Sequence, residues 1–370
     1  MLRVSSVQNR ADLRRFIALP YALYRDDPGW IAPLRSEQAK LFTPRGDPLL
    51  AHCDYALFLL WDDNRVVGRV AAFVDHLAID FWQERVGFWG SYECVDSLEG
   101  ARLLLDAAEG FLRQQGMAEM RGPINFTVTE WGLVTEGFEY PPVLMSPYNP
   151  AYYNTQMEAL GMRKAKDLLA FYGDIGEGYA IPERFTRALE RVAQRYHVTV
   201  RPVEMKHLKR DALIVVDIMN HSVAYNWGAY PVTEEEGRRL AKDLKQIIDP
   251  AFALIAEVEG RPIGFCLTLP DLNQLLKGLD GRLTPRLIWR LAFGLKRVRN
   301  YRCWALGLLP EYHGKGIDAL LYYRTFQAAQ ARQARVEVNY VLEDNIKMLA
   351  PLAKLGVKHI KTYRVYTKAL

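Results

Sequence analysis

The sequence predicts an α/β (α+β) protein built twice, as two tandem units over 1–175 and 176–370, each a mostly antiparallel mixed sheet flanked by helices. Three observations carry that reading: the order of strands and helices, its recurrence in the second half, and a constant spacing between matching residues. Arg65-x-x-Gly68 matches Arg261-x-x-Gly264, with the two glycines 196 residues apart. Leu160-Gly161-Met162 matches Leu355-Gly356-Val357 at a spacing of 195, which Lys166 and Lys361 keep. Asn149 and Asn345 are again 196 apart. One such match carries little weight; four at nearly one offset indicate a duplication.

Taken in order, Val4 to Val7 reads as a short strand and Asp12 to Leu19 as a helix, broken at Pro20 and resumed through Tyr24. Asp26-Asp27-Pro28-Gly29-Trp30 is a turn by composition. Tyr55 to Trp61 and Arg65 to Val74 form a hairpin around Asp62-Asp63-Asn64. Val86 to Val95 is a strand, Leu98 to Gln115 a helix stopped by Gly116, and Met117 to Arg121 the next strand. The second half repeats the order with a strand at Val198–Val203, a helix at Leu208–Tyr225 and a hairpin of Ala253–Val258 with Arg261–Leu267 around Glu259-Gly260. Gly173-Asp174-Ile175-Gly176-Glu177-Gly178 reads as the linker between units.

The composition, 50% hydrophobic and 25% charged over 370 residues, supports ample core in about two domains. A net charge of +5 suits anionic ligands and falls far short of a nucleic-acid signature. Cys53, Cys94, Cys266 and Cys303 are scattered, with no two at metal-ligand spacing, so no metal is expected and reduced buried thiols are. No run reaches the roughly 18 apolar residues of a membrane span and no signal-peptide core opens the chain, so the expected location is cytoplasmic.

The most informative stretch runs from Leu306 to Leu321. An apolar run stops at Pro310, Gly314 and Gly316 bracket Lys315, and an apolar helical pattern follows at once. A strand end, a glycine turn and a helix N-terminus make backbone N–H groups converge where an anion can sit. This stretch resembles the pyrophosphate loop of the GNAT acyltransferases, in which Arg or Gln is followed by two residues, Gly, one residue and then Gly or Ala. His313 stands at the first position, Gly316 at the central glycine and Asp318 at the last, so two of three signature positions depart. Asn345 and Leu355-Gly356 resemble the family's later motif. The whole chain is similar to tandem two-unit GNAT proteins. The matching stretch of the first unit, Tyr92 to Gly100, carries three acidic residues and no Gly-x-Gly, and its helix start is capped by Ser97.

The resemblance implies acetyl-CoA or another acyl-CoA as co-substrate and a small-molecule or peptide amine as acceptor, held between the units. The cofactor residues it implies are Leu308 and Leu309, whose backbone N–H groups would face the acyl carbonyl, then His313, Gly314, Lys315, Gly316, Ile317, Asp318 and Asn345. Lys315 suits a phosphate as a point charge. Asp318 favours the helix dipole and competes with that phosphate. The family's tyrosine general acid would fall at Leu352, which cannot donate a proton, so Tyr340, Tyr363 and Tyr366 are the substitutes and Glu343 and Asp344 the acidic candidates; Glu343 and Tyr340 are taken as catalytic. Glu343-Asp344-Asn345 also reads as a cap and turn cluster before a helix, the more ordinary role for such a run.

Two aromatic-polar segments are acceptor candidates: Arg121–Gly132, with Asn125, Glu130 and Trp131, and His221–Pro231, with Asn226 and Trp227. Interdomain packing is the alternative for their aromatics. Between Gly281 and Pro310 seven basic residues and no acidic one occur, with Leu287, Ile288, Leu291, Leu295 and Val298 as one apolar helix face behind a Thr284-Pro285 start. That segment reads as a solvated basic face or as a contact for tRNA, an acidic partner or anionic lipid. The expected activity is acyl-CoA-dependent N-acyl transfer by the second unit. Two alternatives stay open: a non-catalytic binding protein of the same fold, and a Fem-type transferase taking aminoacyl groups from tRNA.

Overall fold

Repeated hydrogen-bonded strands and amphipathic helices account for the chain in a computed structural model that describes residues 1–43, 48–126, 130–222 and 226–370. Thr127, Val128 and Thr129 of the first aromatic-polar segment, and residues 223–225 at the end of the helix expected over 208–225, lie outside the described residues.

The first repeat runs β1 (Leu2–Ser6), α1 (Arg10–Leu23), α2 (Arg35–Lys40), β2 (Cys53–Asp62), β3 (Arg65–Asp75), α3 (His76–Trp82), β4 (Val86–Cys94), α4 (Leu98–Gln114), β5 (Glu119–Gly122), β6 (Leu133–Glu136), α5 (Tyr152–Ala159) and β7 (Arg163–Asp174). The second runs α6 (Glu183–Arg195), β8 (Val198–Pro202), α7 (Leu208–Ser222), α8 (Glu234–Leu244), β9 (Ala253–Val258), β10 (Arg261–Pro270), α9 (Asn273–Leu276), α10 (Pro285–Gly294), β11 (Asn300–Leu308), α11 (Ile317–Ala331), β12 (Arg335–Leu342), α12 (Ile346–Leu355) and β13 (Lys358–Ala369). The matched glycines occupy equivalent places. Gly68 and Gly264 sit early in β3 and β10, while Gly161 and Gly356 follow α5 and α12 at φ +78° and +73°. A left-handed residue there ends the helix, which glycine does without a Cβ penalty.

Two compact units form, and they are not the contiguous halves of the sequence. One comprises Met1–Leu168, Leu276–Ile288 and Lys361–Leu370; the other comprises Leu169–Leu275 and Trp289–Ile360. The repeat boundary near residue 175 and the boundary between compact units therefore differ. The reason is strand membership. In the first unit the sheet order is β1-β2-β3-β4-β5-β13, with β6 also on β13; Tyr366 pairs with Gly122 and Ala369 with Glu119. In the second the order is β8-β9-β10-β11-β12-β7. Each sheet is antiparallel except for one parallel pair, β4–β5 and β11–β12 respectively, among the pairings described. Helix α4 packs on the first sheet around Leu104, Leu105, Ala108 and Leu112, and α11 packs on the second through Leu320, Leu321 and Phe326.

Helix α1 continues through Pro20 where a break was expected. Proline removes one N–H and so orphans the carbonyl four residues earlier. That carbonyl belongs to Phe16, and Arg69 Nη1 donates to it at 2.9 Å. A buried arginine thus supplies the bond the proline cannot. No described helix is long and apolar enough to cross a membrane.

Candidate active site

The second sheet opens at one point. Strands β11 and β12 run parallel from Asn300↔Arg335 to Cys303↔Val338, after which their pairing stops although β11 reaches Leu308 and β12 reaches Leu342. At that point Cys303 opposes Thr268 and Ala305 opposes Leu267 on β10, which leaves Trp304 as an extra residue in β11. A bulge at diverging strands twists the backbone and re-aims its polar groups. Farther along, the Leu309 N–H donates to the Ile263 carbonyl at 2.9 Å. Leu309 is therefore committed to the sheet and is not the carbonyl-facing donor expected of it. In an antiparallel pair hydrogen-bonded and non-hydrogen-bonded positions alternate. Leu308, opposite Gly264, consequently turns its N–H away from β10, toward the side of β12.

The chain then makes a 3-10 turn at Pro310–Tyr312 and enters α11 through Gly314 at φ +74° and Gly316 at φ +78°. A Cβ on Gly316 would meet only Val192, at 3.5 Å, so the left-handed backbone and not lack of room demands glycine. His313 Nε2 lies 2.8 Å from the Leu308 carbonyl. With Nε2 as the donor, the ring ties the turn to the strand end instead of pointing at a phosphate, a correction to its expected role. The Lys315 ammonium sits 4.6 Å from the centroid of Tyr312 and 5.7 Å from that of Tyr196, which holds its charge beside the turn. Ile317 is buried in the core, leaving its backbone to the helix N-terminus. Burial pushes the Asp318 carboxyl above its ordinary range, against the opposing pull of the Ala319 and Asp318 N–H groups and of His313 and Lys354. The carboxyl therefore lies close to backbone N–H groups that an anion would use.

Three buried polar side chains stand where the strands part. Arg302 and Glu337 are register partners. Arg302 Nε donates to Asn339 Oδ1 at 2.5 Å, and Asn339 Nδ2 donates to Glu337 Oε1 at 2.8 Å. The guanidinium lies 4.9 Å from the Tyr340 ring centroid. Cys303 faces Cys266, Sγ to Sγ 3.5 Å, and Cys266 faces Thr325 of α11. Strand alternation puts Arg302 on the opposite face, against which α7 packs. Of the expected catalytic pair, Tyr340 joins this cluster and Glu343 lies half-buried in the turn after β12. Asn345 accepts from the Met348 N–H at 3.3 Å and so caps α12, which is not the cofactor contact expected. Tyr363 and Tyr366 are buried in the sheet of the first unit.

The corresponding place in the first sheet is closed by its own chain. There β4 and β5 run parallel from Val86↔Glu119 to Phe88↔Arg121, and Ser91 and Tyr92 bulge opposite Val70. The Ser91 N–H donates to Asn125 Oδ1 at 2.7 Å, and Asn125 Nδ2 donates to Glu130 Oε2 at 2.5 Å. Trp131 bridges to Ile124, whose N–H donates to the Trp89 carbonyl at 2.8 Å. A Cβ on Gly90 would lie 1.9 Å from the Ile124 carbonyl oxygen. Asn125, Glu130 and Trp131 are thus brought together, but as a plug on the bulge; Asn226 is an exposed residue whose carbonyl accepts from Ala229 at 3.2 Å. Ser97 Oγ caps α4, as expected.

Sequence reading did not single out Trp304, Glu337 or Asn339 as functional, and it counted Arg302 only as part of a basic run. Their one signal was the alternation Arg335-Val336-Glu337-Val338-Asn339, which ordinarily marks a solvated face. The first unit holds a second group missed by spacing: ligand atoms of His52, Cys53 and Asp75 all lie within 4.8 Å of one another. Asp75 there also caps α3 and meets His52 Nδ1 at 2.9 Å.

No protein-family model matches the chain. A bacterial ceramide synthase of Caulobacter vibrioides (strain NA1000 / CB15N) is 34% identical over 380 residues, covering 100% of this chain and 98% of that protein. Protein YghO of Escherichia coli (strain K12) is 30% identical over 379 residues, covering 99% and 95%. The chain belongs to the family of these two proteins. Solved structures similar to this ceramide synthase–YghO family member include a tandem GNAT protein from the clavulanic acid biosynthesis pathway, with TM-score 0.58, 12% identity and coverage of 100% and 98%. A GCN5-related N-acetyltransferase from Sphaerobacter thermophilus has TM-score 0.54, 14% identity and coverage of 100% and 95%. At such identities the likeness is one of fold: the family member has the tandem GNAT fold.

Proposed function

We propose that this protein is an acyl-CoA-dependent N-acyltransferase whose acceptor is the amine of a long-chain amino alcohol, the class of base that ceramides carry. The observation that carries the reading is the pairing of diverging parallel strands with a helix entered through two left-handed glycines, Gly314 and Gly316. The acceptor class rests on the full-length relationship to the protein named a bacterial ceramide synthase.

The residues present fit an acyl-CoA at the α11 turn in backbone and in Lys315, with Asp318 opposing it. The helix N-terminus and Lys315 hold the pyrophosphate. The Leu308 N–H, which turns away from β10, would donate to the thioester oxygen, where charge develops during attack. The free amine attacks the thioester carbon; a C–N bond forms, the C–S bond breaks, and the thiolate leaves with the coenzyme. The proton lost by the nitrogen passes to Glu343 through solvent, and Tyr340 supplies a proton to the thiolate. Arg302, through its contact with Tyr340, positions that phenol.

The test is incubation with a graded series of acyl-CoAs, from acetyl to stearoyl, and sphinganine. Coenzyme release is followed by a thiol reagent and the product by mass spectrometry. An amide formed in step with free thiol supports the reading. Absence of thiol release with every acyl-CoA, from a folded protein, sinks it.

A further inference from the structure

We propose that the segment 282–299, centred on α10, seats the protein on an anionic lipid bilayer. The sequence pattern placed Ile288 on the buried face of this helix. Instead Leu287 and Val298 are buried, while Leu283, Ile288, Trp289 and Phe293 are 57%, 57%, 60% and 64% exposed. Trp289 and Phe293 are one helical turn apart, and their ring centroids lie 5.7 Å from each other. Exposed large apolar side chains scattered singly need no explanation, but four of them on one short segment do.

Their surroundings specify the partner. Arg286, Trp289 and Phe293 follow at three- and four-residue steps along α10, and exposed Lys296 and Arg297 lie in the 3-10 turn that follows it, so basic residues flank the two aromatic rings along the chain. Among the described residues Arg286, Lys296 and Arg297 form no ion pair, and no acidic residue occurs between Gly281 and Pro310. Arg282 pairs with Asp280 at 3.1 Å, and Arg302 is turned inward, so the outward charge rests on the others. A bilayer interface suits this arrangement: Trp and Phe enter the headgroup–acyl boundary while arginines meet anionic headgroups. Single-stranded RNA would also attract arginines and stack on aromatics, but it gives Leu283 and Ile288 no apolar phase to enter. The inference is independent of the acyl-transfer reading, because it uses none of the residues assigned to that reaction and reads out without catalysis.

The experiment is flotation of the full-length protein with vesicles of phosphatidylcholine alone and of phosphatidylcholine mixed with phosphatidylglycerol. Three forms are compared: wild type, Trp289→Ser/Phe293→Ser, and Arg286→Glu/Arg297→Glu. Wild type is expected to float with both vesicles and to favour the anionic ones. The aromatic double variant should lose about tenfold or more in partitioning to both vesicle types. The charge reversal should lose its preference for phosphatidylglycerol, by about fivefold for each positive charge removed. All of these side chains are exposed, so circular dichroism should be unchanged. Wild type remaining in the pellet fraction with both vesicles overturns the proposal, as does an aromatic variant that floats like wild type. Oligouridylate bound more tightly than anionic vesicles, with only the arginine variant affected, also overturns it in favour of RNA.

Discussion

Arg302 and Glu337 stand opposite each other in the parallel register of β11 and β12, each about 1% exposed. Charges so deeply buried persist only when paired and hydrogen-bonded, and Asn339 bridges the two. Removing one partner leaves the other desolvated. Arg302→Met is therefore expected to destabilise the fold by about 3–5 kcal/mol, whereas Arg302→Met with Glu337→Met should cost clearly less. Urea unfolding of both variants checks this. A double variant that loses as much as Arg302→Met, or more, would mean that the glutamate left behind carries no desolvation penalty.

Tyr340 lies under the Arg302 guanidinium and carries a proton-donor role in the proposed transfer. Tyr340→Phe keeps the ring and its contact with the cation but removes the hydroxyl. A fall in kcat of about a hundredfold is expected, with KM for acyl-CoA nearly unchanged. Steady-state kinetics measured by thiol release decide the matter. A rise in KM alone would assign the hydroxyl to binding.

The turn before α11 yields a pH prediction. Ionised Asp318 repels a pyrophosphate at the same helix end, and its carboxyl titrates above the ordinary range because it is desolvated. Acyl-CoA affinity of the wild type should therefore rise as pH falls through that titration. Asp318→Asn should bind about tenfold more tightly at neutral pH, a ratio worth roughly 1.4 kcal/mol, and should show a flatter pH dependence. Gly316→Val forces a β-branched residue to φ +78° and should abolish binding. Isothermal titration across pH separates these outcomes. Parallel pH curves for wild type and Asp318→Asn would remove Asp318 from the site.

The duplicated element order was legible because short-range rules wrote it. The Asp62–Asn64 turn, the Ser97 cap and the left-handed glycines after α5 and α12 each follow from local chemistry. Strand membership was not legible: β7 and β13 follow equivalent Leu-Gly turns, and nothing local says which sheet each will extend. The glycine turn at 314–316 could be read directly, but the cluster beside it could not. Arg302, Glu337 and Asn339 look like solvated positions until the register of β11 with β12 brings them together. Pro20 shows the same limit, since its helix survives through an arginine 49 residues later in sequence, Arg69.

That arginine belongs to a buried group in the first unit whose titration is measurable. Arg69 lies 3.5 Å from Glu93, which also accepts from Tyr153 at 3.0 Å and from Tyr24. Burial raises the Glu93 carboxyl above its ordinary range, and the opposing pulls of Arg69 and the two tyrosines only partly offset it. A folded-state pKa above the unfolded value means that this group's stabilisation is complete below the unfolded pKa. It is lost as pH rises through the folded pKa. Wild type should therefore lose stability relative to Glu93→Gln as pH rises from the acidic carboxylate range toward that higher value. Thermal unfolding of both proteins over this range provides the comparison. A stability difference that grows in favour of wild type with rising pH would show that Arg69 outweighs burial, and one that stays flat would show that the two pulls cancel; either overturns the expectation.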